Sequence, residues 1–74
     1  MTVPRAFDLR EHPGFDASWL RVFIDGDMPR GVIAWNADEG WAEVMVWNDD
    51  GTAVGGASDP QTRRVYGKVN VVEI

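Results

Sequence analysis

Trp41-Ala42-Glu43-Val44-Met45-Val46-Trp47, followed at once by Asn48-Asp49-Asp50-Gly51, decides the fold class of this 74-residue chain. Aromatic and β-branched residues suit a pleated, half-buried surface, and the Asn-Asp-Asp-Gly run turns the backbone back on itself. Side chains of a strand alternate between its two faces, so Ala42, Val44 and Val46 share one side and Trp41, Glu43, Met45 and Trp47 the other. The first side is small, aliphatic and free of charge, which makes it the core side.

On the N-terminal side, Asn36-Ala37-Asp38-Glu39-Gly40 supplies a second turn, and Arg30-Gly31-Val32-Ile33-Ala34-Trp35 reads as a strand that starts after Pro29. A tight hairpin here pairs Trp35 with Ala42 and sets Ile33 against Val44. Further back, Trp19-Leu20-Arg21-Val22-Phe23-Ile24 is another strand, closed by Asp25-Gly26, and Leu20, Val22 and Ile24 are its core residues. On the C-terminal side, residues 52–62 hold Gly55-Gly56 and Ser58-Asp59-Pro60 and read as a flexible loop, although Thr52-Ala53-Val54 also suits an extension of the hairpin. Residues 63–74 read as a long final strand that bends at Gly67, with Val65, Val69 and Val71 inward and Arg64, Lys68 and Asn70 outward.

Residues 1–18 show no sustained period and are broken by Pro4 and Pro13-Gly14; they read as an irregular arm with room for a helical turn between Pro4 and Glu11. Residues 19–74 form the single small domain. The expectation is an all-β fold: a four-stranded, largely antiparallel meander curled into a roll or small barrel behind that arm.

Composition narrows what such a domain can do. The chain has no cysteine and one histidine, His12, so neither disulfides nor a zinc site can supplement so small a core. Its lack of cysteine, and of a basic start leading into an apolar run, fits a cytoplasmic protein or a component of a phage particle. No stretch approaches the roughly 18 apolar residues of a membrane span. The net charge is −5, and residues 38–62 hold no Lys or Arg. A surface of that sign repels phosphates and disfavours nucleic acid as a partner.

No constellation of residues suggests catalysis, a cofactor or a metal. His12 lies near Asp8 and Glu11 but in the least regular part of the chain, and Ser18 and Ser58 stand in no nucleophile motif. Asp25-Gly26-Asp27 and residues 48–51 offer oxygen ligands yet match no calcium loop, and as turns they are fully explained. The Gly51 to Gly56 stretch lacks the Gly-Lys-Ser/Thr ending of a phosphate loop.

The face opposite the core is too apolar for open solvent. Trp41, Met45 and Trp47 line it, and Tyr66 joins from the last strand. Either the arm covers it with Phe7, Leu9 and Phe15, or it is a contact face, since Trp and Tyr are the anchors that interfaces favour. The function expected is a non-enzymatic interaction or structural module acting through this Trp-rich face, on a protein partner or by self-association. The alternative is a small barrel that binds single-stranded nucleic acid through Arg63, Arg64, Tyr66 and Lys68.

Val22-Phe23-Ile24-Asp25-Gly26, residues 32–42 and Val65-Tyr66-Gly67-Lys68-Val69 together resemble short prophage-encoded proteins of unassigned function, over residues 19–72. The resemblance implies a phage or prophage context, in morphogenesis, with action by contact and no catalytic residues.

Overall fold

In the computed structural model, residues 3–56 and 58–73 are described. Met1, Thr2, Ala57 and Ile74 lie outside them, and so do the ends of the expected arm and final strand and one position of the expected loop. The described residues form six strands: β1 (Ala6–Asp8), β2 (Leu20–Ile24), β3 (Val32–Asn36), β4 (Trp41–Met45), β5 (Thr62–Tyr66) and β6 (Val69–Glu73). They make two antiparallel sheets, one ordered β1-β3-β4-β5 and the other β2-β6. The mainly β, antiparallel class is therefore as expected, in two open sheets over one core rather than a closed barrel.

The hairpin at the centre has the expected pairing. Trp35 lies opposite Ala42 and Asn36 opposite Trp41. Between Val32 and Ala34 the register shifts, so Val32 rather than Ile33 opposes Val44. One extra residue on β3 is the mark of a bulge, and it moves Ile33 out of the ladder.

Leu20, Val22 and Ile24 alternate inward from β2 and meet Trp35, Ala42 and Val69, all buried. Val65 and Val71 pack at the margin of this cluster. The face expected to be small and aliphatic has an indole at its middle: Trp35 is 2 % exposed, and its Nε1 donates to the Pro4 carbonyl at 3.0 Å. That bond leaves no polar atom of the buried ring unpaired.

Two features depart from a four-strand meander. Residues 6–8 of the arm pair with β3, Phe7 opposite Trp35, and a single 3₁₀ turn, Leu9–Glu11, follows. Phe7 stacks on Trp35 with centroids 5.6 Å apart, and Phe15 packs on Phe7 at 4.6 Å. The arm's aromatic residues thus complete the core instead of covering the opposite face. The second departure is that β2 pairs with β6 and not with β3. Asp25 and Gly26, both at positive φ, do make a tight turn closed by Ile24 and Asp27. The chain then meets Met28-Pro29, and a proline cannot extend a ladder; β3 begins in the other sheet. The final strand is cut at Gly67 and Lys68, where the chain passes from one sheet to the other. A Cβ at Gly67 would lie 2.5 Å from Asp25 Oδ2 and 2.9 Å from Ile24 Cγ2, so a larger residue at this corner must push both side chains aside.

The expected loop is tied down. Val54 donates to Val46, Val46 to Gln61 and Gln61 to Val54, all within 2.9 Å, and Trp47 bridges to Ala53. The alternative reading of Thr52-Ala53-Val54 as a hairpin extension is the one realised.

Candidate interaction face

Register fixes which side chains share the outer face of the four-stranded sheet. Asp8, Ala34, Glu43 and Arg64 form one row across it, and Ala6, Asn36, Trp41 and Tyr66 the next. Met45 and Thr62 lie opposite each other in the row beyond Glu43. Three of the four residues expected on the contact face, Trp41, Met45 and Tyr66, therefore do share it. Trp47 lies past the end of β4.

The face is not a bare aromatic patch. The Arg64 guanidinium lies over the Trp41 ring, 3.8 Å from its centroid, and Arg30 lies over Trp47 at 3.9 Å. Trp47 also donates its Nε1 to the Arg30 carbonyl at 3.2 Å and sits against Gly31, where a Cβ would come within 2.7 Å of its ring. This indole is gripped by its own chain. Trp41 Nε1 is buried and has no partner among the described residues. Tyr66, 67 % exposed, has no such cover among the described residues.

Sequence reasoning missed the residue that organises the row. Arg10 bonds Asp8 through Nε and Nη2 and Glu43 through Nη1, at 2.7–2.9 Å. Since Asp8, Ala34 and Glu43 are side by side, the guanidinium lies across Ala34, which is 1 % exposed on a face with no second sheet above it. Glu43 also accepts from the Thr62 hydroxyl at 2.7 Å. That bond, then Arg10, holds its carboxyl below the usual range, and Arg10 holds Asp8 down in the same way. A carboxylate so held is a poor proton acceptor at neutral pH, so this network orders the sheet and does not suit general base chemistry. No signal short of the β1 register would have placed Arg10 here.

The residues of the alternative patch separate. Arg64 lies over Trp41 and 4.0 Å from Glu43, Lys68 sits at the corner with its backbone N–H on Asp25 Oδ1 at 2.9 Å, and Arg63 faces Val44 from the edge strand without an ion pair among the described residues. His12 packs edge-on to Phe7, exposed to solvent. Among the described residues, no group of three or more His, Cys, Asp and Glu is placed to hold a metal ion. None of their helices is long and apolar enough to cross a membrane.

An open groove of about 280 Å³ runs beside β5. Ile24, Pro29 and Val65 give it an apolar lining, Met28 and Tyr66 flank it, and Arg63 and Asp27 also line it. Met28 and Tyr66 are the two most exposed large hydrophobic side chains among the described residues, at 57 % and 67 %. The chain matches no family model, no curated protein and no solved structure.

Proposed function

We propose that this chain is a non-enzymatic binding module that meets a protein partner through the β5 side of the four-stranded sheet, around Tyr66. The observation that carries this reading is that Tyr66 and Met28, both far out in solvent, flank one groove, while Phe7, Phe15, Trp19 and Trp35 are packed into or against the core and Trp41 and Trp47 lie under arginines. Tyr is a frequent interface anchor, because it brings a rigid apolar ring with a polar tip at low entropic cost. The contact face so defined keeps Tyr66 from the expected set and replaces the two gripped indoles by Met28. The resemblance to prophage-encoded proteins extends the proposal to a phage or prophage setting.

A photo-reactive phenylalanine at position 66 tests this in the cell that makes the protein, with the same group at the exposed Glu39 of the β3–β4 turn as its control. Cross-links to a protein from position 66 and not from 39 are expected. Equal labelling from both, or adducts to nucleic acid, would overturn the reading.

A further inference from the structure

We propose that β5 is a docking edge for an extended acidic segment of the partner, which adds to the sheet as a further strand. This rests on the binding reading above and names the chemistry of the partner. β5 ends the order β1-β3-β4-β5, and no strand among the described residues lies on its far side. Val46 donates to the Gln61 carbonyl at 2.9 Å and Gly67 to that of Gly40 at 3.0 Å. Alternate residues of an antiparallel pair bond to the neighbouring strand. Between those two fixed points Arg63 and Val65 therefore bond inward to β4, and Thr62, Arg64 and Tyr66 turn their backbone N–H and C=O groups outward. The register with β4 is unbroken from Thr62 to Tyr66, and the strand contains no proline. Such an edge is a template for another strand, whose backbone gives affinity and whose alternate side chains give specificity.

The charges on β5 select the occupant. A second copy pairing through this edge, centred on the strand, would set Arg64 directly against its own equivalent, and like charges opposed across a ladder are destabilising. A carboxylate opposite Arg64 is instead matched on the outer face, with Arg63, next in the chain, adding positive charge at the same edge. The inner face looks onto Val65, Ile24 and Met28 and takes the apolar side chains. The fitting segment therefore alternates acidic with apolar side chains. Arg63 and Arg64 bring two adjacent positive charges to this edge in a chain of net charge −5, and Asp25 and Asp27 also line the groove.

The test uses the whole chain and a short capped peptide of alternating glutamate and valine. Amide hydrogen exchange followed by NMR should show Arg63 and Val65 slow and Arg64 and Tyr66 fast in the free protein, with Arg64 and Tyr66 becoming protected when the peptide is added. A peptide of the same sequence with its pairing amides methylated, and a lysine–valine peptide, should each bind about tenfold more weakly or worse. Arg63→Glu with Arg64→Gln should invert the preference between the two charged peptides while the protein stays folded. Unchanged exchange at Arg64 and Tyr66, equal binding of the methylated peptide, or protection of the same amides by oligothymidine at physiological salt would each overturn the proposal. If cross-linking from position 66 still finds a protein while these amides stay fast, strand addition falls and the binding reading stands.

Discussion

The Arg10 guanidinium reaches Glu43 from the far side of β3: Nη1 donates to Glu43 Oε2 at 2.7 Å while Nε and Nη2 hold Asp8. One side chain thereby staples β1, three residues long, to β4 across the sheet. An exposed ion pair is worth at most about 1 kcal/mol, and this one is half-exposed at the arginine. Arg10→Ala should accordingly lower stability by about 1 kcal/mol and the melting temperature by about 4–8 °C. The loss should concentrate in the arm, with the Ala37 amide, which donates to Arg5, exchanging faster and β2–β6 amides unaffected. A uniform change over both sheets would show that Arg10 does not act as a staple.

The same network sets an acid limit. Asp8 is held below its usual range first by Arg10, and Glu43 first by the Thr62 hydroxyl and then by Arg10. Groups with depressed folded values contribute stability that is fully present above their ordinary values, near pH 4, and that is lost as pH falls through the lowered ones. Arm amides should keep their protection from neutral pH down to about pH 5 and lose it below about pH 4. Glu43→Gln should flatten that loss. Asp16 and Asp50 are also lowered, by Ser18 and Thr52 in their own turns, so carboxyl-resolved NMR titration separates their protonation from that of the network.

Two tryptophans make opposite predictions. Trp35 is buried with its Nε1 bonded to Pro4, whereas the Nε1 of Trp41 is buried without a partner. A polar group buried unpaired costs about 1–3 kcal/mol, and removing it relieves that cost. Trp41→Phe should therefore be neutral or stabilising in urea denaturation. Trp35→Phe loses a made bond and core volume and should cost about 2 kcal/mol, and Trp35→Ala, at about 3–5 kcal/mol, should leave no folded chain of this size. A stable Trp35→Ala protein would remove this indole from the centre of the core.

What was legible in the sequence, and what was not, follows from how local each cause is. Alternation and turn chemistry lie within a few residues, and they placed β2, β3 and β4, the Trp35–Ala42 pairing and the inward set of Leu20, Val22 and Ile24. β1 was illegible because three residues cannot show a period, and its pairing depends on Phe7 meeting Trp35 across 28 positions of chain. The pairing of β2 with β6 likewise joins the two ends of the domain. The contact face was half legible: alternation put Trp41, Met45 and Tyr66 together, but whether an indole is bare depends on arginines from elsewhere in the chain, Arg64 of β5 over Trp41 and Arg30 of the turn before β3 over Trp47.

Trp47 is the sharpest case, because the absence of a side chain at Gly31 makes its seat. Gly31 has φ +76, and a Cβ there would stand 2.7 Å from Trp47 Cζ2. Gly31→Ala therefore carries two costs: about 1 kcal/mol for a left-handed alanine, and displacement of an indole that donates to the Arg30 carbonyl and lies under its guanidinium. A stacked arginine at an exposed site is worth about 0.5–1 kcal/mol, so the total should be about 2 kcal/mol, with a red-shifted tryptophan emission as the ring moves into water. Trp47→Ser should leave both sheets folded and cost about 1–2 kcal/mol. In that background Gly31→Ala should cost only its backbone share, so the double-mutant cycle should return a coupling of about 1 kcal/mol. Strict additivity would mean that the ring does not rest on Gly31, and a Trp47→Ser chain that unfolds altogether would put this residue in the core.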